Sequence, residues 1–212
     1  MRAAIVGNGR LPPTRGLRQL LRHADLVVCA DGGLRVMRAL GITPEVAVGD
    51  FDSASPSLLA WARRRGTRLL AHPRDKDKSD TELAMQYALR AGATTIDLIG
   101  VLGGRVDHTL ANIALLVALA RQRRRARIVH GTTELFLAAP QASIPGRVGD
   151  RVSLIPLSAR VTGISTHGLK YPLAHSALRM DATRGISNEI TASPAHVRTR
   201  RGWLLIVVEH RS

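Results

Sequence analysis

The stretch TRLLAHPRDKDKSDTELAMQYALRAGATTIDLIG, residues 67–100, decides the reading of the fold. TRLLAH (67–72) is a short apolar run of strand character, and TIDLIG (95–100) is another. Between them, SDTELAMQYALRAG (79–92) carries apolar residues at helical spacing and closes on Gly92. A strand, an amphipathic helix and a second strand form the unit from which parallel sheets are built, because a parallel return needs a long crossover. The alternation continues in both directions. Upstream lie AAIVG (3–7), LVVCA (26–30) and EVAVG (45–49), with helical patterns at LRVMRAL (34–40) and SPSLLAWARRR (55–65). Ser55 is placed to cap the second of these helices, with Pro56 at its first position. Downstream, DHTLANIALLVALARQRR (107–124) reads as helix and ARIVH (126–130) as strand. Strands that are apolar throughout need cover on both faces. An N-terminal three-layer α/β/α domain around a parallel sheet is expected.

The texture changes after about residue 131. ELFLAA, RVSLIPLS, ARVTGIST, SNEITA, HVRTRR and WLLIVVE are short, strand-like and punctuated by Gly and Pro. They predict a smaller, mostly antiparallel all-β sandwich. The boundary is expected near Pro140–Gly149, giving domains 1–140 and 141–212.

Composition narrows the classes. No apolar run among the 212 residues approaches the ~20 needed to span a membrane, and MRAAIVGNGR is too short in its apolar part for a signal peptide. A cytoplasmic protein with no membrane partner is expected. Cys29 is the only cysteine, so an internal disulfide is impossible, and its place in LVVCA reads as a buried small hydrophobe. Net charge is +15, from 31 Lys+Arg against 16 Asp+Glu. Such a charge suits nucleic acid, an anionic small substrate or merely an arginine-rich composition. Aromatics stand at 3%, few for a protein that stacks bases. The densest basic runs, Arg63–Arg65 and Arg121–Arg127, fall at the ends of predicted helices, where cations suit the helix dipole. No nucleic-acid partner is expected.

The acids are placed more tellingly than they are numbered. Ten of the sixteen lie between Asp31 and Asp107. Asp31 follows the strand LVVCA; Asp50 and Asp52 follow EVAVG; Asp75, Asp77 and Asp80 follow TRLLAH; Asp107 follows TIDLIG after a glycine-rich turn. Ligands of an open parallel sheet bind beyond the carboxyl ends of its strands. Four strands thus deliver carboxylates to one edge of a basic protein, and hard oxygen ligands of this kind suit Mg²⁺ shared with substrate phosphates. Gly7-Asn8-Gly9, Gly32-Gly33 and Gly103-Gly104 sit in strand-to-helix turns, where backbone N–H groups can approach an anion. A GxxxxGK[ST] loop is absent, as is GxGxxG after the first strand, which argues against P-loop and dinucleotide redox enzymes. The histidines show no zinc-ligand spacing; His108 is placed to cap or orient the next helix, with substrate contact as the alternative, and Trp203 reads as core before ligand.

CADGG (29–33), GDFDS (49–53), DKDKSDTELA (75–84), GGRVDHTLAN (103–112), GLKYPL (168–173) and GISNE (185–189) follow one another in an order that resembles the thiamine pyrophosphokinase family. The resemblance spans nearly the whole chain. It implies a homodimer that transfers pyrophosphate from ATP to thiamine, giving AMP and thiamine diphosphate. It also implies that Asp50, Asp52 and Asp80 hold Mg²⁺, and that Asp31 helps build the same acidic site. Gly32, Ser79, Gly104 and Arg105 would meet the nucleotide, and Ser79 stands where the family often has Thr. Asp52, Asp80, Arg105 and Asp107 are the implied catalytic group. Ser187 and Asn188 look like thiamine-side residues, and Tyr171 is an aromatic position suited to stack on the thiamine ring.

The residues fit that chemistry without the name. Pyrophosphoryl transfer requires alignment and neutralisation of spreading negative charge, which Mg²⁺ and Arg105 would supply. Asp107 is placed either to accept the alcohol proton or to orient Arg105. Two rivals remain at this level: a pyrophosphokinase acting on another primary alcohol, such as a hydroxymethyl pterin, and a basic RNA-binding module whose acids are helix caps.

Overall fold

The computed structural model describes residues 1–9, 11, 15–52 and 54–211. The chain divides into two compact units, one of residues 1–115 with 121–131, the other of 116–120 with 132–212.

Six parallel strands form the sheet of the first unit: β1 (Arg2–Val6), β2 (Leu26–Ala30), β3 (Val46–Gly49), β4 (Arg68–Ala71), β5 (Thr95–Ile99) and β6 (Arg125–His130). Their order is β6-β5-β1-β2-β3-β4. Five helices connect them: α1 (Arg15–Arg22), α2 (Gly33–Leu40), α3 (Pro56–Arg64), α4 (Asp80–Arg90) and α5 (Val106–Arg121). Strand residues alternate between faces. Ala4, Val6, Val27, Cys29 and Ala47 bury one face against Leu17, Leu21, Leu34, Met37, Leu58 and Ala62 of α1, α2 and α3. Ile5, Val28 and Val48 are also buried, and α4, whose Ala84, Met85 and Ala88 are covered, packs across β1, β2 and β3. These layers are the expected α/β/α arrangement. The helices start where the sequence marks them: Ser55 Oγ accepts from Leu58 N at 3.3 Å, and Ser79 Oγ accepts from Glu82 N at 3.2 Å. One buried carboxylate crosses the sheet. Asp97 of β5 takes Arg2 Nε from β1 and Arg127 Nε from β6, each at 2.6 Å, so the charge left inside is paired on both oxygens. Burial pushes the Cys29 thiol far above its ordinary range, which keeps it a neutral packing group.

The second unit is antiparallel. β7 (Thr133–Ala138), β9 (Arg151–Pro156), β12 (Asn188–Glu189) and β14 (Leu204–Glu209) run in the order β12-β9-β14-β7. β8 (Gln141–Ile144), β10 (Arg160–His167), β11 (Ser176–Arg179) and β13 (Ala195–Arg198) run in the order β11-β10-β13-β8. Val152 and Leu154 of β9, Val161 and Ile164 of β10, Val197 of β13 and Ile206 of β14 share one core, as the inner faces of a sandwich do. The division falls at Gly131–Thr132 rather than near Pro140. The reason is β7, whose residues 133–138 pair antiparallel with Glu209–Leu204 of β14. Among the described residues no helix is long and apolar enough to cross a membrane.

Candidate active site

Chain order builds the site before any side chain does. From β1 the strands are added in one direction through β2, β3 and β4, and then β5 returns to the other side of β1. The loops after β1 and β5 leave in opposite senses, and a crevice opens between them at the carboxyl edge. A cleft of about 360 Å³ lies there, lined by Gly7–Gly9, Asp31, Gly32, Ser79–Thr81, Gly100–Leu102, Gly104, Arg105, His108, Thr109 and Asn112.

Beside it, one carboxylate oxygen each of Asp31, Asp50 and Asp52 lies within 4.8 Å of the others. The backbone is bent to achieve this. Asp31 has φ 37° and Phe51, between the other two, has φ 58°. Such left-handed conformations cost about 1–3 kcal/mol each at non-glycine residues and gather at functional sites. Asp31 N donates to Val48 O at 2.8 Å, which pins the first acid to the end of β3. Three hard oxygens at this spacing fit a small divalent cation. Asp80 is not one of these three. Its Oδ1 is 2.9 Å from Lys76 Nζ, four residues before it in the loop, and it lines the cleft with Ser79. Asp31, expected to help build the site, converges with Asp50 and Asp52, and Asp80 lines the same cleft as Asp31. The reason is topological: Asp31 and Asp50 end neighbouring strands, whereas Asp80 opens a helix. Ser53, last in GDFDS, lies outside the described residues.

The glycines serve packing more than anion binding. Gly7 N donates to Ile99 O at 2.8 Å and Gly9 N to Gly100 O at 2.6 Å, so neither amide is left for a phosphate. A Cβ at Gly7 would stand 2.6 Å from Gly100 O, and one at Gly9 2.5 Å from Leu102 O. Glycine is required because two backbone segments, the loops after β1 and β5, meet there. Gly104 is different, since a Cβ there would meet nothing within 4 Å.

Arg105 and Asp107 form a bidentate pair, Nε to Oδ1 at 3.1 Å and Nη2 to Oδ2 at 2.5 Å. The Arg105 guanidinium, and then the His108 N–H, hold the Asp107 carboxyl below its usual range. A carboxylate so stabilised is a weak proton acceptor at neutral pH, and its geometry is that of a group orienting Arg105.

The motifs expected on the thiamine side meet in the second unit. A pocket of about 270 Å³ is lined by Leu154, Tyr171–Leu173, Arg184–Ile186 and Asn188. Asn188 is buried, and its amide makes three hydrogen bonds: Oδ1 accepts from Tyr171 N at 3.0 Å and Glu189 N at 2.9 Å, while Nδ2 donates to Tyr171 O at 2.9 Å. It fastens the two motifs together and sets Tyr171, which is 62% exposed, at the pocket. Ser187, at φ 56°, donates its N–H to Ser153 Oγ at 3.1 Å.

Comparison with known proteins agrees with this geometry. The family model described as thiamin pyrophosphokinase, catalytic domain, matches residues 17–129, and that described as thiamin pyrophosphokinase, vitamin B1 binding domain, matches residues 142–204. The chain belongs to the thiamine pyrophosphokinase family. It is 29% identical over 184 residues to the thiamine pyrophosphokinase of Bacillus subtilis strain 168, covering 86% of each chain. The crystal structure of a Bacillus subtilis thiamine pyrophosphokinase superposes with a TM-score of 0.87 at 26% identity, over 100% of both chains. That from Geobacillus thermodenitrificans gives 0.84 at 30% identity, over 100% of this chain and 99% of its own.

Within this thiamine pyrophosphokinase fold, motif reading missed part of the cleft wall: Asn8, Thr109 and Asn112. The last two were visible in principle. His108, Thr109 and Asn112 fall at positions i, i+1 and i+4 of an otherwise apolar helix, and three polar residues on one face of such a helix mark a wall turned toward a ligand.

Proposed function

We propose that the chain transfers a pyrophosphoryl group from ATP to the hydroxyl of thiamine, releasing AMP. The observation that carries this is the meeting of Asp31, Asp50 and Asp52 within 4.8 Å beside the switch-point cleft. Bare carboxylates repel phosphates, so a phosphate-binding edge lined with them requires a cation. Mg²⁺ held by these three would polarise phosphate oxygens and offset their charge. Ser79, Gly32 and Gly104 line the nucleotide's path, and Asp80 with Lys76 fixes the start of α4 beside it. Arg105, aimed by Asp107, faces the transferring phosphates with a permanent positive charge. In the second unit, Tyr171 offers its ring to thiamine, with Ser187 beside it and Asn188 as its clamp.

The proposal includes a cytoplasmic homodimer. Val106 and Leu110, one turn apart on α5, are 74% and 63% exposed, which is apolar surface suited to a second copy. Sedimentation as a monomer at micromolar concentration would remove the dimer.

The deciding assay supplies thiamine, ATP and Mg²⁺ and quantifies products. AMP and thiamine diphosphate are expected in equal amounts. Formation of ADP, or faster turnover of a hydroxymethyl pterin than of thiamine, would overturn the assignment.

A further inference from the structure

Asn112, in the second turn of α5, is only 5% exposed yet lines the cleft. Its Nδ2 donates to Val101 O at 2.8 Å. A carbonyl accepts only from the amide nitrogen, so this bond fixes which end of the side chain is which. Oδ1 is the end left to the cleft, and no described residue donates to it. A nearly buried acceptor calls for a donor from the ligand. Ionised phosphates offer none and would be repelled. The donors of ATP all lie on its nucleoside: the exocyclic amine of the base and the ribose hydroxyls.

Position along the sheet agrees. Reading the carboxyl edge in the order β5-β1-β2-β3, the acids Asp31, Asp50 and Asp52 stand at β2 and β3. Asn112 is tied to Val101, just past β5, and the neutral glycine loops lie between. Neighbouring strands are ~4.8 Å apart, so the two ends are separated by roughly 10–14 Å, the reach of an extended nucleotide.

We propose that Asn112 Oδ1 accepts a hydrogen bond from the nucleoside of ATP and is a residue by which the site selects its nucleotide, the phosphates pointing toward Asp31. This rests on the ATP-dependent transfer proposed above. Three analogues each delete one donor: purine riboside triphosphate, 2′-deoxy-ATP and 3′-deoxy-ATP. Transfer to thiamine is measured with each and with ATP. At least one analogue is expected to lose about tenfold or more in kcat/KM, because a site built to bond a donor is left with an unpaired acceptor without it. Which one falls tells the base from the ribose. Asn112→Leu should use that analogue and ATP equally well, and Asn112→Ser, which cannot span the same distance, is read the same way if the leucine does not fold. Equal use of all three analogues and ATP by the unaltered protein overturns the inference, as does a preference that survives both substitutions. No turnover with ATP at all would instead overturn the proposed function.

Discussion

At the scale of single residues, the acids and their partners set the expectations. Asp31, Asp50 and Asp52 crowd one another, so deleting one charge relieves repulsion in the metal-free protein. Asp52→Asn should melt no lower than the unaltered protein without metal. Its turnover should fall about a hundredfold or more, which corresponds to ~3 kcal/mol of lost transition-state stabilisation, and raised Mg²⁺ should recover part of it. Were Asp52 only a turn residue, Asn would replace it with activity intact. Asn188 gives a different pattern, since its amide makes three hydrogen bonds from a buried position. Asn188→Ala leaves both Tyr171 backbone groups without partners. A loss of about 1–3 kcal/mol is expected in denaturant unfolding, along with a KM for thiamine that rises more than the KM for ATP. Equal effects on both KM values would remove Asn188 from the thiamine side. Asp50 and Asp52 could be read from sequence because they follow a strand at once. The pairing of Asp80 with Lys76, four residues earlier in the loop before α4, could not, because it depends on how that loop folds back.

At the scale of elements, legibility followed the density of apolar residues. Buried parallel strands such as LVVCA and EVAVG announce themselves, and each was found within a residue of its expected bounds. RGLRQLLR was not singled out, since three arginines mask the two buried leucines, Leu17 and Leu21, that hold α1 down. β8 and β11 were also missed, being four-residue strands with only one fully buried side chain each. The turn before β9 carries a testable element-level feature. Asp150 is buried, which would raise its pKa, but the N–H groups of Arg211 and Arg147 and the ring of His210 outweigh burial and hold it at about 2. A carboxyl depressed in the folded state stabilises the fold above its ordinary pKa near 4, and that contribution is lost as pH falls toward 2. The melting temperature should therefore drop more steeply between pH 4 and pH 2 in the unaltered protein than in Asp150→Asn. Parallel curves would mean the hydrogen bonds contribute nothing.

At the scale of the whole molecule, the charge of +15 is the property most open to misreading. Arginine is spread over both units, while the functional edge holds carboxylates. Binding to non-specific RNA at ~150 mM salt should accordingly be weak, and sub-micromolar affinity there would favour a nucleic-acid role. The order of strands in the second unit has a consequence for how the protein is made. β14 is the last strand in sequence, yet it lies between β7 and β9 and supplies the hydrogen-bonding partner to both. A ribosome moving at about 5–20 residues per second takes roughly 3–11 s to travel from Pro156, the end of β9, to Glu209. For that interval the two flanking strands have been synthesised with nothing between them, each with an open edge and an apolar face. The nascent chain is thus most exposed to mispairing and to chaperone capture in that interval, and deletion of Leu204–Glu209 would leave the sheet without its middle.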